Sequence, residues 1–322
     1  MTTSNKKTEQ IKKATCSFPG TIAISGAAGR FGALVIRRLH RTDKLIAIDQ
    51  RSFSRKPADV THFQEDLRRK ACRDHFRKGR IQAVLHLGPY HTSLKTMGGE
   101  EPFARAVENF AKLLEYCDQY HVKKLVLLSS ADVYGARANN PQFLTEEAPL
   151  LAADLSSLRD VDMMAQSFFW KRHDIETVIL RPAHIAGEVS NIMNWYLHQS
   201  PVPRLMGYDP MMQFVHEEDV MQAIRLALEP GHRGIFNIAG PPPTPLTRIL
   251  KRLQRKSISV PHLLAKPAIS QLRKLQNIDL RASHMDYLRY VCMVDDSRAR
   301  SVLGYAPQYD LSETLAAVDQ WY

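Results

Sequence analysis

This chain of 322 residues contains no run of eighteen apolar residues, so the sequence predicts no membrane-spanning helix. Residues 1–19 are polar and lack the apolar stretch of a secretory signal, so we expect a flexible basic tail on a cytoplasmic protein. The cysteines, without the spacing of metal ligands, indicate free thiols and no metal site. They are Cys16, Cys72, Cys117 and Cys292. Zinc-finger, helix-turn-helix and RNA-recognition signatures are absent, so nucleic acid is not an expected partner.

Acidic residues are fewer than basic ones, 33 against 44, and the net charge is +11. The segment 248–281 holds nine Lys or Arg residues and one acidic residue, Asp279. A solvated basic face, a contact with an anionic membrane surface, and attraction of a phosphorylated substrate all remain open for this segment. A core-facing helix with a basic outer side has the same pattern as a helix that lies on lipid.

Apolar runs alternate with helical patterns over the first 180 residues, which predicts an α/β fold with a doubly wound parallel sheet. Predicted strands cover 21–25, 44–48, 83–87, 124–129, 176–180 and 234–238, and predicted helices cover 31–40, 102–120, 155–173 and 221–228. Ligands of such sheets bind at the carboxyl ends of the strands.

Three glycines, Gly26, Gly29 and Gly32, lie where the first strand turns into the first helix. They allow a tight turn and a close approach of the backbone to a pyrophosphate, and the N–H groups of Arg30 and Phe31 open the helix beneath it. This pattern in this context predicts a dinucleotide site.

Asp49 ends the second strand at the expected distance after the first glycine. A carboxylate there accepts hydrogen bonds from the adenosine ribose and repels a 2′-phosphate, so we expect NAD rather than NADP. Arg30 and Arg51 lie nearby and soften that preference.

Several further motifs stand in the order found in one enzyme family. They are Asp66-Leu67, Leu85-His-Leu-Gly88, Leu128-Ser-Ser-Ala-Asp-Val-Tyr-Gly135, Arg181-Pro-Ala-His-Ile-Ala-Gly187, Phe214-Val-His-Glu-Glu-Asp219 and Phe236-Asn-Ile-Ala-Gly240. The chain therefore resembles an extended short-chain dehydrogenase/reductase of the NAD-dependent epimerase/dehydratase kind. The resemblance implies a Rossmann-type domain over 20–184 and a smaller substrate-binding domain over 185–322, with 212–240 returning to the Rossmann core. By resemblance only, we expect that a homodimer would form through the helices over 102–120 and 155–173.

The Tyr-x-x-x-Lys pair that supplies the acid and base of this family is missing. No Tyr lies between Gly135 and Trp195, and the best register places Leu155 and Arg159 at the Tyr and Lys positions. Leucine transfers no proton, and arginine can hold a ribose but cannot tune an acid. This member is therefore atypical.

The resemblance and the missing pair leave a short set of candidate residues. Ser130 matches the family's catalytic serine, or else caps the end of its strand; Tyr134 and His184 are the candidate replacement acids. His86, His91 and Asp132 are weaker candidates, while His216 and Asp219 are interpreted as structural. The predicted cofactor-binding residues are Gly26, Gly29, Arg30, Phe31, Gly32, Asp49, Asp66, Leu67, Leu87, Gly88, Ser129 and Arg159.

Three functions remain open from the sequence. The chain is an oxidoreductase or sugar-nucleotide epimerase-like enzyme with non-standard acid/base residues and an unknown small-molecule substrate. It is alternatively a non-catalytic NAD-dependent regulator or scaffold, and thirdly a peripheral membrane or lipid-linked protein.

Overall fold

The structure is a computed structural model in which residues 18–54, 56–79, 81–88, 101–152, 156–189, 191–261, 264, 267 and 282–321 are described. The predicted tail, including Cys16, lies almost wholly outside the described residues, as do Leu155 and His91. The other three cysteines are free thiols.

A seven-stranded parallel sheet forms the centre of the molecule. Its strands are β1 (Thr21–Ser25), β2 (Lys44–Asp49), β3 (Thr61–Gln64), β4 (Ile81–His86), β5 (Lys124–Leu128), β6 (Glu176–Pro182) and β11 (Gly234–Ile238). They lie in the order β11-β6-β5-β4-β1-β2-β3, and every neighbouring pair is parallel. The predicted Rossmann-type sheet is confirmed.

Helices cover the sheet because parallel neighbours need crossover connections. The described residues form helices α1 (Arg30–Leu39), α2 (Lys70–Gly79), α3 (Glu101–Gln119), α4 (Ser156–Lys171), α5 (Ile192–Leu197), α6 (Glu217–Leu228), α7 (Leu246–Arg252), α8 (Ala282–Asp286) and α9 (Leu311–Val318), some of which lie beyond the sheet. Two apolar cores result. One packs α1 and α6 against one face of the sheet, and the other packs α3 and α4 against the opposite face.

The predicted elements are present with small shifts of their ends. Strand β4 begins at Ile81 and ends at His86, against a predicted 83–87, and α6 begins at Glu217 rather than at residue 221. The earlier start of α6 follows from its cap, since His216 Nδ1 accepts the Glu218 N–H at 3.1 Å. The third strand and α2 were not predicted, and β3 is half-exposed rather than apolar.

Three small two-stranded sheets lie beyond β6. The pairs are β7 (His184–Ala186) with β10 (Phe214–His216), β9 (Met211–Met212) with β12 (Thr244–Pro245), and β8 (Val202–Leu205) with β13 (Ser257–Val260). A third apolar core, with residues of α5, α7 and α9, lies beneath them. The domain boundary at 184/185 stays a prediction, although β11 lies in the main sheet, inside the predicted return segment.

The strand order changes direction between β1 and β4, whose carboxyl ends therefore border a crevice. The candidate residues on β1, β2, β4 and β5 lie at this one edge of the sheet.

Candidate functional site

The glycine turn after β1 has the backbone geometry that a pyrophosphate site needs. Gly26 has a φ of +80°, in the region that glycine adopts without strain. A Cβ on Gly32 would lie 2.5 Å from the Gly26 carbonyl oxygen, so only glycine fits the crossing of turn and helix. Gly29 is the N-cap of α1, whose first turn holds no acidic side chain. No acidic side chain of the helix itself therefore offsets its positive end, which favours an anion there.

Asp49 reaches back to the same turn from the end of β2. Its Oδ2 accepts the Ala28 N–H at 2.9 Å. The Arg51 guanidinium donates from Nε to Oδ1 at 3.1 Å and from Nη2 to Oδ2 at 2.9 Å. Burial raises the pKa of this carboxyl, but the hydrogen bonds and charge of Arg51 outweigh burial, so the pKa is lowered. Asp49 is therefore a carboxylate beside the phosphate turn, already paired with Arg51.

The predicted cofactor-binding residues Asp66 and Leu67 lie beyond β3. The Asp66 carboxylate pairs with Arg68 at 2.7 Å, and this hydrogen-bonded pair lowers its pKa. The Leu67 side chain is buried, and its carbonyl accepts the Tyr116 hydroxyl proton at 2.8 Å. The backbone of this loop is thus held by α3.

At the end of β4 the backbone packs closely against the ends of β1 and β5. The Leu87 N–H donates to the Ser25 carbonyl at 3.1 Å, and Gly88 has a φ of +55°. A Cβ on Gly88 would collide with the Leu128 carbonyl oxygen, so the residue must be glycine here. His86 Nδ1 lies 2.6 Å from Ser25 Oγ, and its ring lies 4.9 Å from that of Phe110. These contacts give His86 a packing role.

A buried polar network lies immediately beneath the end of β5. Arg181 forms a two-point ion pair with Asp162 at 2.7 and 3.0 Å, and both side chains are fully buried. The Ser129 hydroxyl donates to Asp162 at 2.6 Å. Ser129 therefore belongs to this core network, and we do not retain it as a cofactor contact.

Tyr134 belongs to the same network. Its hydroxyl donates to Asn237 Oδ1 at 2.8 Å and accepts from Arg181 Nη1 at 2.8 Å. Burial raises the pKa of Tyr134 to about 12, against the opposing effect of Arg181. A phenol held on both sides and so weakly acidic does not suit proton transfer, and we do not retain Tyr134 as an acid.

A second polar cluster converges on Asp132, just above that network. Ser130 Oγ accepts the Asp132 N–H at 3.0 Å, and the Tyr287 hydroxyl donates to the Asp132 carbonyl at 3.3 Å. His184 Nδ1 lies 3.9 Å from Asp132 Oδ1. We call Ser130, Asp132, His184 and Tyr287 the Asp132 cluster.

His184 is the titratable ring of this cluster. It packs against the rings of Phe214 and Tyr287, with centres 5.8 and 5.5 Å apart. Burial lowers the pKa of His184, although the negative charge of Asp132 opposes this. A neutral imidazole is a proton acceptor at neutral pH. Because the distance from His184 Nδ1 to Asp132 Oδ1 is longer than a hydrogen bond, the imidazole can form a hydrogen bond with another group.

Cys292 borders the cluster without adding a nucleophile. Its Sγ contacts the Ala131 carbonyl at 3.5 Å. Burial raises the pKa of the Cys292 thiol well above its usual range. A thiol with little thiolate is a poor nucleophile, so the residue acts as packing.

Arg159 and the residues around His216 complete the account of the predicted site. Arg159 is partly exposed on α4 and reaches Asp160 at 3.4 Å, a weak contact. His216 stacks on Tyr309 with ring centres 3.7 Å apart, and Asp219 accepts the Gln308 N–H at 2.8 Å. His216 and Asp219 therefore bind the C-terminal segment to α6, in agreement with a structural role.

The basic segment is described only in part, chiefly as α7 and β13. Helix α7 buries Leu246, Ile249 and Leu250 and exposes Arg248, Lys251 and Arg252. In this part the apolar side faces the core, and the basic side faces solvent.

Two residues of these polar clusters escaped the sequence interpretation. Tyr287 comes from the C-terminal region, far along the chain from Asp132, and no motif marks it. Asp162 carries a weak signal, since it interrupts an otherwise apolar face of α4 between Val161 and Ala165.

Residues 22–239 match the model of the NAD dependent epimerase/dehydratase family. The chain belongs to this family. The match spans the glycine turn, the end of β5 and β11, so the predicted family is confirmed.

Among curated proteins, the chain is 25% identical to an uncharacterised protein of Mycobacterium tuberculosis over 319 residues, which cover 95% of this chain and 84% of that protein. A UDP-glucuronate 4-epimerase of Thermodesulfobacterium geofontis is 21% identical and covers 82% of the chain, with 77% of its own length matched.

A solved dTDP-glucose 4,6-dehydratase of Streptomyces venezuelae with NAD bound has a TM-score of 0.73 and 19% identity, covering 94% of this chain and 96% of its own. These likenesses, at low identity, establish the shared fold.

Across the described ranges, no helix is long and apolar enough to cross a membrane. The same ranges hold no group of three or more His, Cys, Asp or Glu residues placed to bind a metal ion.

Proposed function

We propose that this chain is an NAD-dependent oxidoreductase of the epimerase/dehydratase type in which His184 replaces the missing tyrosine as the proton-transfer group. The observation that carries the proposal is the convergence of Ser130, His184 and Tyr287 on Asp132, at the carboxyl end of β5. This edge of a doubly wound sheet is where ligands bind.

The glycine turn fits the cofactor. Gly26, Gly29 and Gly32 form the turn beneath a pyrophosphate, the N–H groups of Arg30 and Phe31 open α1, and Asp49 lies beside the ribose position. Asp66, Leu67, Leu87, Gly88 and Arg159 complete the proposed cofactor set. When bound, NAD⁺ would accept a hydride from the substrate, and NADH would return it.

The residues of the Asp132 cluster would move one proton. The Ser130 oxygen already accepts the Asp132 N–H, so its own proton is directed elsewhere and can be donated to a substrate oxygen. The neutral His184 imidazole takes the proton of the substrate hydroxyl, and the Asp132 carboxylate stabilises the resulting imidazolium. Return of that proton completes the reverse step.

We propose a nucleotide-linked sugar as the substrate class. A Bacillus cereus UDP-glucuronic acid 4-epimerase, solved with UDP-glucuronic acid and NAD, has a TM-score of 0.70 and 17% identity to this chain; it covers 94% of this chain and 100% of its own. The net charge of +11 favours a phosphorylated substrate.

The test begins with calorimetric titration of NAD, followed by turnover of a panel of UDP- and dTDP-linked sugars. Conversion of one of them, lowered about tenfold or more by Ser130→Ala, is expected because a hydrogen bond to the substrate oxygen is lost. Ser301→Ala is the matched control, since Ser301 is an exposed serine whose hydroxyl donates to the Arg298 carbonyl. Undiminished turnover in Ser130→Ala would remove Ser130 from the mechanism.

The second candidate is a non-catalytic NAD-dependent regulator. The fully engaged hydroxyl of Tyr134 and the weakly held Arg159 favour it, because neither reproduces the family's acid/base pair. Tight NAD binding without conversion of any sugar in the panel would select this function over the first.

We also propose a homodimer through α3 and α4. Met163 and Trp170 lie two turns apart on α4 and are 51% and 66% exposed, which places two large apolar side chains on its outer side. Light scattering is expected to give twice the chain mass for the native protein and the chain mass for Trp170→Lys.

A further inference from the structure

The carboxylate of Asp49 is saturated with hydrogen bonds from the protein itself. Oδ1 accepts from the Arg51 N–H at 2.9 Å and from Arg51 Nε at 3.1 Å. Oδ2 accepts from the Ala28 N–H and from Arg51 Nη2, both at 2.9 Å. Since a carboxylate offers about four acceptor positions, the hydroxyls of a ribose find none of them open in this arrangement.

The Arg51 side chain is the part of this arrangement that can leave. Its side chain is 51% exposed, whereas that of Asp49 is 7% exposed, so the guanidinium lies on the solvent side of the pair. The two backbone N–H groups belong to ordered turns and stay with the carboxylate. Binding of ribose at Asp49 therefore requires the Arg51 guanidinium to turn away, while the residue itself stays beside the ribose.

We propose that Arg51 is the specificity-determining residue of the cofactor site and that the chain binds NADP⁺ as well as NAD⁺. This inference rests on the proposed function, because it concerns the same dinucleotide site. With NAD⁺, the ribose hydroxyls replace the guanidinium on Asp49. With NADP⁺, the guanidinium leaves Asp49 and binds the 2′-phosphate.

Charge balance supports this assignment. A lone carboxylate at the end of β2 would repel a 2′-phosphate, whereas here the Arg51 cation offsets the charge of Asp49 and stays beside the phosphate after it leaves the carboxylate. Arginine presents a planar fork of donors that matches phosphate in two-point geometry, as it already matches the carboxylate here. The same side chain thus opposes NAD⁺ by occupying Asp49 and assists NADP⁺ by offering a cation.

The experiment measures the dissociation constants of NAD⁺ and NADP⁺ by calorimetry for the full chain and three variants. For the native chain, the two constants are expected to lie within about tenfold of each other. Arg51→Ala is expected to tighten NAD⁺ about threefold and to weaken NADP⁺ about tenfold or more, since a charged hydrogen bond to phosphate is lost. Arg51→Lys, which keeps the charge but not the fork, should give an intermediate ratio.

Arg77→Ala is the matched control. Arg77 forms a comparable short-range pair with Asp74 at 3.2 Å, but it lies in the last turn of α2, which precedes β4 and so lies towards the amino ends of the strands. The control should leave both constants unchanged. NAD⁺ binding with the same NADP⁺/NAD⁺ ratio in native chain and Arg51→Ala would overturn this inference alone. Binding of neither cofactor to the native chain would overturn the proposed function together with it.

Discussion

Two polar clusters follow β5, one directly above the other, and they differ in how completely their groups are paired. In the lower one, Arg181 and Asp162 form two short bonds in a fully buried setting, and Tyr134 and Ser129 use their hydroxyls on the same pair. In the Asp132 cluster His184 Nδ1 lies 3.9 Å from Asp132 Oδ1, beyond hydrogen-bond distance, and the Asp132 side chain is 27% exposed. Chemistry needs groups that can change partners, so the loosely paired cluster is the one suited to a substrate.

The largest expected effect comes from breaking the lower cluster. Arg181→Leu leaves the Asp162 carboxylate buried without its cation, and breaking such a pair costs about 3–5 kcal/mol of unfolding free energy. Urea denaturation should show this loss. The double variant Arg181→Leu with Asp162→Leu should recover much of it, because no uncompensated charge remains. Equal losses in the single and double variants would contradict the role of the pair.

His184→Gln is expected to have the next largest effect, on turnover rather than on stability. Removing the proposed proton-transfer group should lower the turnover of the proposed sugar-nucleotide substrate about 10²-fold, at the lower end of the range for general acid–base catalysis. His40→Gln is the control, since His40 forms another histidine–carboxylate pair, with Asp59 at 3.1 Å. Turnover that is equal in both variants would exclude His184 as the base.

The buried carboxyl of Glu217 gives a third case for this comparison. Glu217 lies beneath the Gly187 turn, where it accepts the Glu188 N–H, and burial raises its pKa to about 7. Between its ordinary pKa and this value the folded state binds the extra proton, so this group makes stability fall as pH rises towards 7.

Glu217→Gln should therefore stabilise the protein at pH 8 by about 1–3 kcal/mol and have little effect near pH 4.5. Thermal unfolding at the two pH values measures the difference. The opposite trend, with the variant more stable only in acid, would show that the carboxylate form is favoured by the fold.

The sequence predicted the cofactor side of this edge better than the substrate side. The turn of Gly26, Gly29 and Gly32 and the position of Asp49 depend on residues close together in the chain, where spacing carries the information. Saturation of Asp49 by Arg51 depends on side-chain direction, which spacing does not give. Tyr287 reaches the Asp132 cluster from the C-terminal region, and only the folded chain brings it there.

The smallest expected effect separates the two parts of Tyr287. Its hydroxyl holds the Asp132 carbonyl at 3.3 Å, whereas its ring covers one side of His184. Tyr287→Phe loses the hydrogen bonds of the hydroxyl, about 1 kcal/mol each, and should leave the pKa of His184 unchanged because the ring remains. Tyr287→Ala removes the cover, so water reaches the imidazole and the pKa of His184 should rise towards its ordinary value. NMR titration of the assigned His184 ring measures this pKa directly.

The acid limb of the turnover profile should move to higher pH by the same amount in Tyr287→Ala. A purely structural tyrosine would lower stability in both variants without moving that limb, so the shift distinguishes a residue that positions and shields the base from one that only fills space.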